Sequence, residues 1–293
     1  MRPDAAPTGL SSQAIAVAFE QSCLDELAAP KPGNVHLFAD GHRMTADDFV
    51  RSAAAAAGPL TARGAKVGAR ILGAVEASID ASGANTNLGI ILLCAPLAAA
   101  AEAGGELRQA LRRVLDELDR EDADLAFRAI VRASPAGLGR AEHHDVFARA
   151  TVGLRQAMEE AAGRDRIAQQ YASGFADVFE RGETLFAARL AATRDRRLAA
   201  LGVYLAFLAG FPDSHIVRKY GATVAARICT AASPVEAKVR HATCLDDILP
   251  DILAWDAKLK DEGINPGTSA DLTVATLFVH RLRSVLPPGA NSD

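Results

Sequence analysis

Few of the features that announce a common protein class are found in this chain of 293 residues. Its four cysteines, Cys23, Cys94, Cys229 and Cys244, form no C-x-x-C pair. That spacing excludes a zinc knuckle or a thioredoxin-like centre and leaves buried thiols as the expectation. No collagen repeat, low-complexity tail or long charge block runs through its 23 glycines and three methionines, so disorder is not the default. Neither sign of charge dominates: 32 lysines and arginines face 36 aspartates and glutamates, a formal charge of −4. Extensive DNA wrapping and general attraction to acidic membranes are therefore disfavoured, although a local basic pocket is compatible with the balance. Residues 1–10 contain Pro3, Pro7 and Gly9 but no basic region followed by an apolar core, so they do not read as a signal peptide. The apolar run 88–101 holds Pro96 and is too short for an ordinary membrane span. A cytoplasmic protein is expected.

With 49% apolar and 23% charged residues, the chain can bury one substantial core. Beta-branched runs are scarce, and the expected fold class is all-α, compact and multihelical. A flexible N-terminal segment, 1–10, is expected to precede a single helical domain, 11–293. Ser11 or Ser12 is placed to cap an opening helix in which Ile15, Phe19 and Cys23 recur along one side, before Pro30 and Pro32 end it. Helices are expected over 47–57 and 62–79, split at Gly58-Pro59, and over 88–101 and 107–118, split at Gly104-Gly105. An apolar face with Leu125, Phe127 and Ile130 follows, then an open connection through Ser134, Pro135, Gly137 and Gly139. Further helices are expected over 147–161, 165–179, 185–192, 198–208, 217–229, 235–249 and 270–286.

Five polar stretches interrupt this pattern. The first runs from Glu26 to His36 through Pro30-Lys31-Pro32-Gly33-Asn34-Val35. Lys31 suits a phosphate, and Glu26 suits ligand orientation or metal binding; a plain helix-to-loop junction has the same composition. His36 and His42 titrate near neutral pH, which fits proton transfer and equally fits ordinary polar residues. The second, Ser82 to Gly89, places Asn85 and Asn87 before an apolar helix, as phosphate contacts or as caps, and it lacks the arrangement of a Walker loop. The third, Glu142-His143-His144-Asp145, has metal-ligand residue types, but capping of an Asp145-led helix is the preferred reading, and no H-E-x-x-H protease pattern is present. The fourth, Asp213 to Gly221, pairs an acid suited to magnesium with Arg218 and Lys219, suited to phosphates, with capping and surface charge as the alternative. Adjacency of Ser214 and His215 does not make a hydrolase, because a nucleophile must align with its base in space. In the fifth, Asn265 to Leu272, Ser269 is a cap candidate and Asp271 a candidate for the helix's positive end or for magnesium.

The strings Pro30-Lys31-Pro32-Gly33-Asn34-Val35, Gly83-Ala84-Asn85-Thr86-Asn87-Leu88-Gly89, Asp213-Ser214-His215-Ile216-Val217-Arg218-Lys219-Tyr220-Gly221 and Pro266-Gly267-Thr268-Ser269-Ala270-Asp271-Leu272 together resemble the triphosphoribosyl-dephospho-coenzyme-A synthase family, over roughly residues 11–286. The resemblance implies an all-helical transferase that moves the triphosphoribosyl part of ATP to the ribose hydroxyl of 3'-dephospho-coenzyme A and releases adenine. It places phosphate or substrate binding on Lys31, Asn85, Asn87, Arg218 and Lys219, metal-associated roles on Asp213 and Asp271, and an acidic role on Glu26. The pattern departs at Asn87-Leu88, where the family usually has a histidine and a basic residue, and at Lys219-Tyr220. These departures resemble members associated with one-carbon cofactor pathways, including methanofuran or tetrahydromethanopterin biosynthesis.

The candidate substrate- and nucleotide-binding set is therefore Lys31, Asn34, Asn85, Asn87, Ser214, His215, Arg218, Lys219, Thr268 and Ser269. Asp213 and Asp271 are the candidates for Mg2+, and Glu26, His36 and Asp271 for acid–base chemistry. ATP is the expected substrate, with a small-molecule cofactor precursor as partner, a homodimer as one option, and no nucleic-acid or integral-membrane partner. Two further readings stay open: phosphate or phosphoryl transfer to a cofactor precursor, and a noncatalytic nucleotide-binding assembly protein.

Overall fold

The computed structural model describes residues 9–135, 139 and 145–286. Its helices in chain order are α1 (Ser12–Ala28), α2 (Ala46–Leu60), α3 (Val67–Ser82), α4 (Leu88–Ala103), α5 (Leu107–Asp116), α6 (Arg120–Ala133), α7 (Leu154–Ala161) and α8 (Arg166–Ser173). A π-helical stretch, Asp177–Gly182, leads into α9 (Glu183–Thr193), α10 (Arg196–Gly210), α11 (Ser214–Tyr220), α12 (Ala222–His241), α13 (Leu249–Asp261) and α14 (Gly267–Val285). Among the described residues the only β pairing is two isolated bridges in the α1–α2 loop, so the chain is all-α.

Three helices form the inside. Nearly every side chain of α4 and α10, and most of α14, is buried, as expected of helices apolar on all faces rather than along one stripe. α1, α3, α5 and α8 pack around α4, and α9 and α12 cover α10, while α14 touches both inner helices. Ser11 caps α1 as expected, accepting the Ala14 N–H at 3.2 Å, and Ile15, Phe19 and Cys23 are buried. Among the described residues no single helix is long and apolar enough to cross a membrane.

Several boundaries differ from the sequence expectation. α2 runs through Gly58-Pro59, because Pro59 sits in the last turn and packs on Gly73 of α3, where an added Cβ would lie 3.1 Å from its ring. Thr61 ends the helix instead, its hydroxyl and N–H both donating to the Ala57 carbonyl. Helix over 147–161 is reduced to α7: Asp145 closes only a turn, accepting the Phe147 N–H, and Asp124 draws off the Ala150 N–H. Gly174 and Phe175, at φ +62° and +61°, stop α8 short of residue 179. Gly221 at φ +86° separates α11 from α12. α12 then continues through Pro234, whose ring is exposed, so water can satisfy the carbonyl it frees. α13 was not expected at all. Cys23 and Cys94 are buried, but Cys229 is half-buried and Cys244 exposed, which corrects the expectation of buried thiols. The N-terminal segment is outside the described residues up to position 8, and Leu10 donates its N–H to the Ala101 carbonyl. Gly137 and the Glu142-His143-His144 group also lie outside the described residues.

The result that matters for function is where the helices start. The N-terminal ends of α4, α8, α11 and α14 face one cavity, which the α1–α2 loop walls on a further side.

Candidate active site

The cavity has a volume of about 590 Å³, within the range of sites that enclose much of a small ligand. Helix starts usually bind anions through free N–H groups, but here protein groups take most of them. Asp213 is fully buried and joins two helices. Its Oδ1 accepts the His215 and Ile216 N–H groups at 2.9 and 3.3 Å, capping α11. Its Oδ2 accepts the Ser269 N–H and hydroxyl, both at 2.8 Å, on α14. Four donors thus share the Asp213 carboxylate, which ties α11 to α14. Replacement by Ala should lower the unfolding free energy by about 3 kcal/mol or more, because the stranded donors are buried; urea unfolding measures it. Asp165 caps α8 in the same way, accepting from Ile167 and Ala168, and Asn85 accepts the Leu88 N–H at 3.2 Å on α4.

With the backbone donors committed, cationic side chains supply the charge for an anion. Arg218, Lys219 and Arg164 all line the cavity. Arg218 is held by the second oxygen of Asp165, and its Nε is buried with no hydrogen-bond partner among the described residues. Lys219 lies over the Tyr220 ring at 5.0 Å. Neither it nor the exposed Arg164 pairs with a carboxylate among the described residues. Arg164 reaches the site because the α7–α8 turn is docked on α11, where Ser214 Oγ accepts the Arg166 N–H at 2.8 Å.

Asp271, in the second turn of α14, also lines the cavity. No hydrogen-bond donor reaches its carboxyl among the described residues. It lies against the start of α4 because residue 89 is glycine: a Cβ there would approach its Oδ2 to 2.0 Å. Burial, followed by repulsion from Asp213 and Glu26, raises its pKa well above the usual carboxylate range, with Arg218 acting the other way.

The α1–α2 loop forms the remaining polar wall. Lys31 is fully buried and is not among the residues that line the cavity. Its Nζ lies 2.8 Å from Glu26 Oε1 and donates to the Val35 carbonyl at 2.8 Å. Burial raises the Glu26 pKa and lowers that of Lys31, their mutual attraction pulling each back. Asp256, on α13, accepts the Gly33 N–H at 2.8 Å and pairs with Lys260 at 2.9 Å. Gly33 needs its φ of +83° and its missing side chain, since Pro266 and the Ile264 carbonyl lie within about 3 Å of a Cβ placed there. Asn34, donating to Asn265 Oδ1 at 2.8 Å, faces the cavity beside it.

His36 is fully buried and is not among the residues that line the cavity. Its Nδ1 accepts the Phe38 N–H at 3.2 Å, and its Nε2 stands 3.2 Å from Asp256 Oδ2 without good hydrogen-bond alignment. Two histidines line the cavity instead, His215 and, within the loop, His42. It occupies a tight turn between Gly41 and Met44, bonded in both directions across the chain, with His42 at φ +54° and Arg43 at +63°. Such a turn prefers glycine or asparagine at both centres, and a non-glycine residue there costs about 1–3 kcal/mol.

The structure therefore gathers Glu26, Asn34, Asn85, His215, Arg218, Lys219 and Asp271 at the cavity. Ser214, Thr268 and Ser269 stand behind them as supports, Thr268 Oγ1 accepting the His215 N–H at 3.1 Å. Asn87 is turned aside, its Oδ1 accepting from Ser78 at 2.6 Å. Arg164, Asp165 and Asp256 escaped the sequence reading. The first two sit in a Gly163-Arg164-Asp165 turn without a motif; an i,i+4 Asp256–Lys260 pair was the available sign of the third.

A cavity lined by three cations and an unpartnered carboxyl, at the starts of four helices, has the make-up of an all-helical transferase for a polyphosphate substrate. The chain belongs to the CitG family, described as ATP:dephospho-CoA triphosphoribosyl transferase, which matches residues 12–288. It is also similar to a solved structure, "Crystal structure of putative triphosphoribosyl-dephospho-coA synthase from Archaeoglobus fulgidus", at 26% identity and a TM-score of 0.61, over 78% of this chain and 96% of that one. No curated protein matches it.

Proposed function

We propose that the cavity binds ATP with its triphosphate against Arg164, Arg218 and Lys219, and that the triphosphoribosyl group passes from adenine to the ribose hydroxyl of a dephospho-coenzyme-A-like acceptor. The observation that carries this reading is that Lys219 and Arg164 line the cavity without a carboxylate partner among the described residues, together with Arg218, which Asp165 holds, and the unpartnered carboxyl of Asp271. Arg218, fixed by Asp165, holds its guanidinium in a set direction, whereas Lys219 acts as a movable point charge.

Magnesium fits this arrangement. Among the described residues no cluster of three His, Cys, Asp or Glu side chains could hold a metal alone, and Mg2+ is commonly held by one or two carboxylates together with substrate phosphates. Asp271, a carboxyl without a hydrogen-bond partner, would hold it, and the ion would neutralise part of the triphosphate charge. The rest is work for the chain's own groups. The cations anchor the phosphates, and the apolar walls from α4, α6 and α7 keep water from competing with the acceptor.

Leu88 lines the cavity where the family usually carries a basic residue. This favours an acceptor with less negative charge at that point than dephospho-coenzyme A, and a one-carbon cofactor precursor is the second reading. Purified protein given Mg2+, labelled ATP and a panel of acceptors, with every product resolved by mass, decides the matter. Free adenine matched by a triphosphoribosylated acceptor is the expected result; ADP would show phosphoryl transfer instead, and binding without product would show an assembly protein.

A further inference from the structure

Transfer of a ribosyl group to a hydroxyl needs a proton acceptor, and most of the groups around the cavity are committed elsewhere. Glu26 is occupied by Lys31, Asp271 is the magnesium candidate, and both nitrogens of His36 are turned to Phe38 and Asp256. His42 differs from all three. Its Nε2 lies 2.8 Å from the carbonyl oxygen of Gly33. A carbonyl can only accept, so in the neutral ring Nε2 carries the proton and Nδ1 carries the lone pair. Nδ1 has no hydrogen-bond partner among the described residues. The Gly33 peptide is itself fixed, its N–H held by Asp256 at 2.8 Å, so the path from α13 to the imidazole is continuous. The left-handed backbone of His42 is a second, independent sign, because the turn tolerates strain in order to present an imidazole where glycine would be relaxed.

We infer that His42 Nδ1 is the general base that takes the proton of the acceptor hydroxyl, with Asp256 as a positioning residue acting through Gly33. The inference rests on the triphosphoribosyl-transfer reading above. The hydroxyl oxygen forms a bond to C1' of the ATP ribose as the bond from C1' to N9 of adenine breaks. The bonding pair leaves with adenine, the hydroxyl proton moves to Nδ1, and the imidazolium then gives up one proton while adenine takes up one, so none is gained or lost. The surrounding charges favour a neutral ring before the step. Burial, Lys219 on α11 and Lys260 on α13 lower the His42 pKa from 6.5, against the Gly33 carbonyl and Asp256, and His215 on α11 is a further titrating neighbour.

The test is His42→Gln, whose amide can keep the bond to Gly33 without offering a base. Its kcat should fall by about 10²- to 10⁴-fold, with the KM for ATP within a few-fold. The acid limb of the kcat/KM profile, expected below pH 6.5, should vanish. His42→Gly, compatible with the positive φ, should recover activity with added imidazole. Nitrogen-15 NMR of wild-type protein should show the proton on Nε2 at neutral pH. Undiminished turnover with the same acid limb in His42→Gln, or a proton on Nδ1, would overturn the assignment of His42 and leave the transferase reading standing. Wild-type protein that releases no adenine with any acceptor would overturn that reading, and the role of His42 with it.

Discussion

Asp271→Asn is expected to leave the ligand-free protein as stable as wild type or more so, while reducing turnover by about 10²- to 10³-fold. The two effects have one cause. Asp271 is half-buried at the cavity with no donor among the described residues to balance it, and desolvation and repulsion from Asp213 and Glu26 raise its pKa. A carboxyl whose pKa is higher in the folded state contributes fully below its unfolded pKa, and the contribution is lost as pH rises through the folded value. The Asn variant, which carries no such charge, should therefore gain on wild type as pH increases, when both are unfolded in chelator without nucleotide. Added Mg2+ and ATP should reverse the order, since ligand binding stabilises only a site that can hold it. A variant that loses stability like Asp213→Ala would show Asp271 to be a structural support instead.

The helical class could be read from the chain because it is written locally: alanine-rich runs, few beta-branched segments and Ser11 before an apolar face all act within a few residues. Boundaries set by distant contacts could not. Pro59 reads as a breaker until Gly73 of α3 is seen beneath it, and α13 went unnoticed because its buried face carries an aspartate, Asp256, at a position where an apolar residue would have signalled packing. The site shows the same division. The polar loops that meet at the cavity were identified, yet charge alone did not tell which members face a ligand and which support it. Lys31 and Asp213 have the residue types of ligand groups, but their partners, Glu26 on the preceding helix and Ser269 far along the chain, turn them into struts. Arg164 shows the converse: it has no motif around it, and only the docking of Arg166 on Ser214 brings its turn to the phosphate side.

Lys31→Met separates these two roles most sharply. As a phosphate ligand Lys31 would, when replaced, weaken ATP binding and leave the fold alone. As the partner of Glu26 it acts on stability: Met fills similar space but strands a buried carboxylate and removes the donor to Val35. Breaking a buried ion pair from one side costs about 3–5 kcal/mol, and that is the loss expected in chemical unfolding at pH 8. The loss should shrink at pH 5. The folded-state pKa of Glu26 is already raised by burial, and without Lys31 it rises further, so the acid becomes neutral in the folded protein before it does in the unfolded chain. Stability is then retained on the acid side and surrendered as pH climbs through the folded value. Adding Glu26→Gln should restore much of the loss at pH 8, because the charge that lacked a partner is gone. Equal losses at both pH values, with no recovery in the double variant, would mean that Lys31 matters for its packing rather than for its charge.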